Sequence, residues 1–187
     1  MDRLIKVESF DDILPQYQNT PISQLLEYHN LGRDFDDYQS AQLLIGMCMD
    51  NRKHMNIPDN FAYIIRAGGA NMRYSEFKVS YAFSVGNVRH MALIGHNHCA
   101  MVNLVDRKDQ FVEGLVANAG WDPKQAEDHF FQFAPLFEIG GELDFLCRET
   151  RRLRFRYPKI VIAPMMYLVE DNRLYLIDEA KSKKLTL

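Results

Sequence analysis

Four short, mostly apolar runs constrain the fold of this chain more than any other feature of its sequence. They are Gln42–Met47, Phe61–Ile65, His90–Ile94 and Lys159–Ala163. An apolar run of this length is typical of a strand that is buried on both faces, as in a parallel sheet. Segments with helical spacing separate the runs, and alternating strands and helices indicate an α/β fold. The sequence therefore predicts a mainly parallel central β-sheet flanked by helices.

Capping residues mark the first clear helix. Thr20-Pro21 supplies an N-cap and a first-turn proline, and Gly32 supplies a stop. Before this helix, residues 7–18 are expected to form a shorter helix or an arm. We therefore expect a single domain over 1–187, with an N-terminal helical arm at 1–40 and a core at 41–187.

The remaining elements follow from spacing and from turn residues. A helical pattern begins near Ser75, where Phe77, Tyr81 and Val85 recur every four residues. Three more helical stretches come after the third run, and Pro135 is expected to break or kink the second of them. The chain then forms a predicted hairpin between 166–169 and 174–177, followed by a basic tail that includes Lys183 and Lys184.

Composition narrows the functional class. The chain of 187 residues has a formal net charge of −3, whereas a global nucleic-acid binder is normally basic. Its longest apolar run is about ten residues, and a membrane span needs about 20. Three cysteines are too few for a disulfide scaffold of this length. The first residues of the sequence contain no apolar run, so no signal peptide is expected. A cytoplasmic protein with free cysteines and no membrane or nucleic-acid partner is expected.

Two of the cysteines lie directly after predicted strands. Cys48 follows the first run, and His96 and Cys99 follow the third. If these strands are neighbours, their carboxyl ends open on the same edge of the sheet, where sites of α/β proteins gather. Two thiolates and one imidazole, with water in the fourth position, are a known ligand set for catalytic zinc. A metal-free Cys–His hydrolase is a weaker alternative, because it leaves the second cysteine without a role.

Two motifs at these positions resemble a known family. The pattern Cys48-x-Asp50-x-Arg52 followed by His96-x-x-Cys99 resembles the zinc site of the β-class carbonic anhydrases, and it looks closest to their compact, single-domain type. The segment 66–70, which lies between these two motifs, resembles the family's middle motif R-N-A-G-N. The chain departs from the family pattern at four positions, where it has Asn51, Ala67, Ala70 and Ala100.

The resemblance implies a fold, an activity and a set of roles. The expected fold is β-carbonic-anhydrase-like, and the expected enzyme is a zinc lyase that hydrates CO2 reversibly to bicarbonate by zinc-bound hydroxide. Cys48, His96 and Cys99 would be the zinc ligands, and Asp50 and Arg52 the catalytic pair. Asp50 would either accept a hydrogen bond from the hydroxide or ligate the zinc itself. The family also implies a homodimer with the pocket near the interface.

Other interpretations stay open at this point. The same site could hydrolyse carbonyl sulfide or carbon disulfide, or the chain could be a catalytically silent homologue with a structural zinc. His98 competes with His96 as a ligand, and the H-x-x-C spacing selects His96. His98 and His54 are candidate proton shuttles, although His98 is more simply a solvated loop residue. Met49 fits either packing or an apolar substrate pocket.

Overall fold

A single sheet organises the protein, whose computed structural model describes residues 2–181. Its strands are β1 (Leu4–Lys6), β2 (Leu43–Met47), β3 (Ala62–Arg66), β4 (His90–His96), β5 (Val161–Leu168) and β6 (Arg173–Ile177). They lie in the order β1-β6-β5-β4-β2-β3. The pairs among β2, β3, β4 and β5 are parallel, and β6 is antiparallel to both of its neighbours. The predicted α/β fold with a mainly parallel sheet is confirmed.

Five α-helices accompany the strands in the described part of the chain. They are α1 (Pro21–Leu26), α2 (Glu76–Ser84), α3 (Lys108–Ala119), α4 (Pro123–Phe137) and α5 (Glu142–Arg156). Thr20 caps α1 by accepting a hydrogen bond from the Ile22 amide, and one π-helical turn extends α1 to Gly32, which has a φ of +70°. The expected start and stop of this helix are confirmed. Every helix within residues 2–181 is too short or too polar to cross a membrane.

The N-terminal segment differs from the expected helical arm. Leu4 pairs with Ile177, so the chain begins with an edge strand of the sheet. Ile22 and Leu25 of α1 are fully buried in the same apolar cluster as Ile45 of β2. The part of this segment that forms β1 and α1 is thus held on the chain's own sheet, by strand pairing in β1 and by the buried apolar side chains of α1. The basic tail at Lys183 and Lys184 lies outside the described residues.

Both faces of the sheet are covered. On one face, α1 packs against side chains that include Ile45 and Ala92. On the other, α2 and α5 pack against side chains that include Leu44 and Leu93. Every residue of β2 is buried, as expected for a central parallel strand.

The edge strand β3 is not buried on both faces, contrary to the prediction for its run. Its side chains Tyr63 and Ile64 are exposed, because no described strand pairs with its outer side. The stripe Phe77, Tyr81 and Val85 of the α2 region also faces outward, while a different set of side chains packs inward. The helix was predicted, but its regular apolar stripe lies on the exposed face.

Pro135 does not end its helix. The helix α4 begins after Asp122, which accepts hydrogen bonds from the amides of Lys124 and Gln125, and continues through Pro135 to Phe137. Proline removes one backbone donor and leaves one carbonyl without its helical partner. That carbonyl belongs to Phe131, an exposed residue, so water can satisfy it.

The predicted hairpin is confirmed, since β5 and β6 pair around the turn at 169–172.

Two phenylalanines, one buried and one exposed, provide a test of the core packing. Phe61 is fully buried against the rings of Tyr28 and Tyr38, whereas Phe155 is 91% exposed. We expect Phe61→Ala to lower the free energy of unfolding by about 3 to 5 kcal/mol, because it leaves a cavity. The control Phe155→Ala should change it by less than about 0.5 kcal/mol. Urea denaturation measures both, and equal effects would contradict the assigned burial.

Candidate metal centre

The pairing of two central strands builds the candidate site. In the parallel pair β2–β4, Met47 lies opposite Ile94. Cys48 directly follows β2, His96 is the last residue of β4, and Cys99 lies in the loop after β4, so all three reach the same edge of the sheet. One donor atom from each of these three buried residues lies within 4.8 Å of the others. The two Sγ atoms are 3.9 Å apart. This cluster could hold a metal ion.

His96 presents one free nitrogen to the cluster. Its Nδ1 lies 2.8 Å from the carbonyl oxygen of Asn97, so Nδ1 carries the proton and donates. Its Nε2 is buried and has no hydrogen-bond partner among the described residues. A metal ligand needs such an arrangement, in which one nitrogen is fixed by a second partner and the other keeps its lone pair. The donor set of two sulfurs and one imidazole fits zinc.

The two thiols share a proton. A hydrogen bond joins the two sulfurs, and this pairing lowers the pKa of the Cys48 thiol and raises the pKa of the Cys99 thiol. The two sulfurs titrate as one coupled pair, in which the first thiolate holds the second proton. The Gly69 amide also donates to the Cys48 sulfur at 3.3 Å. A divalent cation would displace the shared proton, because thiolates are the ligands that bind.

The approach of Gly69 to the sulfur depends on its lacking a side chain. Its φ is +62°, and a Cβ there would lie 2.6 Å from Cγ2 of Ile139. The next residue, Ala70, has a φ of +59°, a region that asparagine, the residue of the family pattern, adopts more readily than alanine. The middle motif therefore brings the backbone close to the cluster, as its glycines indicate.

Asp50 and Arg52 form a bidentate pair beside the cluster. The Nε and a terminal nitrogen of Arg52 donate to the two carboxylate oxygens of Asp50 at 2.9 and 2.7 Å. These bonds hold the pKa of Asp50 well below its usual range. The Oδ2 atom of Asp50 lies 3.7 Å from Nε2 of His96. The carboxylate is therefore ionised, fixed by Arg52 and directed at the edge of the candidate metal centre.

Two further cations contact the same loop. The Nζ of Lys53 and a terminal nitrogen of Arg66 donate to the main-chain oxygen of Asp50 at 3.3 and 3.2 Å. Lys53 is buried, and sequence reasoning did not single it out. In the sequence, only its position directly after Arg52 draws attention to Lys53, because no local pattern indicates that a lysine side chain is buried.

The other two histidines considered for the site lie outside the cluster. His98 is exposed, and its Nε2 is 3.1 Å from a carboxylate oxygen of Glu170 in the β5–β6 turn. His54 is exposed as well. His98 is thus a solvated loop residue in contact with Glu170.

An apolar cavity of about 270 Å³ lies near the cluster, between the metal-site loops and the helices α3 and α4. Met49, Gly68 and Met101 line its inner side, and Phe133 and Phe137 belong to its aromatic wall. Met101 also packs against the apolar cluster that contains Cys48 and Cys99. His129 is the one titratable residue in the lining of this cavity, and the remaining lining residues are apolar.

Comparisons with known proteins bear on this arrangement. No protein-family model matches the sequence, and no curated protein matches it. Solved structures do match. A β-carbonic anhydrase of Trichomonas vaginalis has a TM-score of 0.60 at 16% identity, with 79% of this chain and 89% of that chain covered. The chain has the fold of the β-carbonic anhydrases.

Two further carbonic anhydrases show the same fold over most of their length. The enzyme from Glaciozyma antarctica has a TM-score of 0.57 at 20% identity and covers 87% of this chain and 98% of its own. The enzyme from Streptococcus mutans has a TM-score of 0.56 at 15% identity and covers 88% and 99%. The expected β-carbonic-anhydrase-like architecture is confirmed, and at these identities the likeness concerns the fold.

Metal binding at the cluster is testable with a matched pair of cysteines. We expect the protein to bind about one zinc ion per chain. Cys48→Ser should weaken zinc binding by at least about 100-fold, because it removes a ligand rather than a supporting residue. The control Cys147→Ser changes a buried cysteine outside the cluster and should bind zinc normally. Competition against a chromophoric chelator measures both affinities, and a Cys48→Ser protein that binds zinc as tightly as the wild type would show that the cluster is not the binding site.

Proposed function

We propose that this protein is a zinc-dependent carbonic anhydrase, which converts CO2 and water into bicarbonate and a proton. One observation carries the proposal: two thiols and the unpartnered Nε2 of His96 converge beside an ionised carboxylate that Arg52 holds in place. The three donors leave the fourth position of a tetrahedral site for a non-protein ligand. The fold of known carbonic anhydrases supports the same conclusion.

The side chains around the metal would have different roles. When bound, zinc supplies a Lewis acid that lowers the pKa of a coordinated water to about 7. Asp50 remains ionised because of Arg52, so its Oδ2 serves as an acceptor at the edge of the cluster. Arg52 also donates to the main-chain oxygen of His98, which ties the two ligand loops together. The apolar cavity favours a small neutral substrate over a charged one.

Carbonyl sulfide and carbon disulfide satisfy the same requirement, since both are small, linear and neutral. The apolar lining of the cavity, with Met49 and Met101 on its inner side, suits their sulfur atoms as well as it suits CO2. They remain the second candidate substrates. The two thiol ligands require a reducing compartment, for which we propose the cytoplasm.

Stopped-flow hydration of CO2 by the zinc-loaded protein tests the proposed function. We expect catalysis that is lost in Cys48→Ser and kept in Cys147→Ser. Arg52→Lys keeps the positive charge but loses the bidentate contact, and we expect it to lower the rate by about 10- to 100-fold. A zinc-loaded protein that hydrates no CO2 but releases sulfide from carbonyl sulfide or carbon disulfide would favour the second candidate. Inactivity toward all three substrates would support a silent homologue.

We propose a second copy of this chain as the macromolecular partner. The outer side of β3 has no strand partner within residues 2–181, so its backbone groups are available for pairing. Exposed side chains next to it form an apolar patch made of Tyr63, Ile64, Phe77 and Tyr81. Patches of this kind mark protein–protein contacts. A homodimer through β3 and α2 would bury both features.

A charge placed in this patch tests the homodimer. Tyr81→Glu should shift the protein toward the monomer, because a buried carboxylate at the interface would lack a partner. Phe155→Glu, on the exposed face of α5, is the control and should leave the dimer intact. Sedimentation velocity over a range of concentrations reports the result. A wild-type protein that is monomeric throughout would contradict the assignment.

A further inference from the structure

The buried lysine beside the candidate metal centre has no role in the function proposed above. The side chain of Lys53 is 0% exposed, whereas Arg52 and His54 on either side of it are exposed. Lysine is almost never fully buried unless it is paired, because an ammonium group loses its hydration when it leaves water. The groups that surround Lys53 therefore indicate what its charge does.

Those groups are mainly negative. Lys53 donates to the main-chain oxygen of Asp50, and its Nζ is 3.9 Å from Oδ1 of the same residue. The pKa of Lys53 is lowered, chiefly by burial, with Arg66 acting in the same direction and Cys48, Asp50 and Cys99 acting against it. The contacts with the main-chain oxygen and the carboxylate of Asp50 therefore offset part of the cost of burying the ammonium.

The two oxygens of the Asp50 carboxylate have different surroundings. Oδ1 accepts hydrogen bonds from Nε and from the main-chain amide of Arg52, and it is the oxygen that faces Lys53. Oδ2 accepts from the other end of the guanidinium and faces Nε2 of His96. A cation bound at the cluster would attract Oδ2, while Lys53 attracts the carboxylate from the Oδ1 side.

We propose that Lys53 is a positioning residue whose buried charge keeps Asp50 paired with Arg52 instead of ligating the metal. This inference rests on the proposed function, since it requires a metal ion at the cluster. Charge–charge interactions are strong where water is excluded and salt does not screen them. Loss of the ammonium would therefore shift the carboxylate toward the metal and close the position that an external ligand needs.

Cobalt substitution tests this inference without measuring catalysis. Co²⁺ binds the same nitrogen and sulfur ligands as Zn²⁺, and its visible absorption changes when its ligands change. We expect the cobalt form of the wild-type protein to bind azide with a change in its visible spectrum. In Lys53→Met, the apparent azide affinity should fall by about tenfold or more, because Asp50 occupies the position. In the double variant Lys53→Met/Asp50→Asn, the azide response should return.

Controls separate positioning from a purely structural role. Lys159→Met removes an exposed lysine at the other end of the sheet and should behave as wild type. Lys53→Gln is the alternative if Lys53→Met loses its native circular dichroism, and it should also lose the azide response because it lacks the charge. Lys53→Arg keeps the charge and should retain the response.

Three results would overturn the inference. The first is a normal azide response in a folded variant without the Lys53 charge, even if its melting temperature is lower. The second is a response that stays lost in the double variant. The third is a wild-type protein that takes up neither zinc nor cobalt, which would overturn the proposed function as well, whereas the first two leave that function intact.

Discussion

The parallel pairing of β2 with β4 is the constraint on which the candidate site depends. It aligns Met47 with Ile94, so that Cys48 leaves the sheet beside the strand that carries His96. A shift of register by one residue would turn the side chains of β2 to the opposite face. A shift by two would move Cys48 along the strand by about 6.6 Å, which is too far for its sulfur to share an ion with Cys99. The buried side chains of β2 hold the register, since every residue of this strand is enclosed.

The electrostatics of the site follow from the number of thiol and carboxylate groups at the sheet edge where β2 and β4 end. The two sulfurs are 3.9 Å apart, and Oδ2 of Asp50 lies 3.7 Å from Nε2 of His96, so several groups that can carry negative charge meet at one edge of the sheet. Cations beside them stabilise that charge. Arg52 stabilises the carboxylate from the solvent side, and Lys53 does so from the interior. A metal ion would stabilise the sulfurs. The protein thus distributes positive charge on several sides of a small negative cluster, and the position of each cation influences what Asp50 contacts.

Local sequence patterns predicted most elements and some of their ends, but not their surroundings. Thr20 and Gly32 mark the ends of the first helix because caps act through bonds within one turn. The exposed stripe of Phe77 and Tyr81 has the same spacing as a buried stripe, so periodicity alone does not show whether it faces the core or the solvent. The first residues were expected in a helical arm and instead form a strand, because β6 offers them an unpaired edge. The sequence of residues 1–40 does not reveal this edge, because β6 comes from a distant part of the chain.

The sequence by itself determined the fold class and the chemical types of the donors, because apolar runs, caps and the C-x-D-x-R and H-x-x-C spacings are local properties of the chain. Only the tertiary structure decided that the three donors lie within 4.8 Å, that Nε2 of His96 lacks a partner and that Lys53 is buried. Each of these depends on atoms contributed by segments distant in sequence. Burial and hydrogen bonding are properties of an environment, and packing of the sheet and its helices creates that environment.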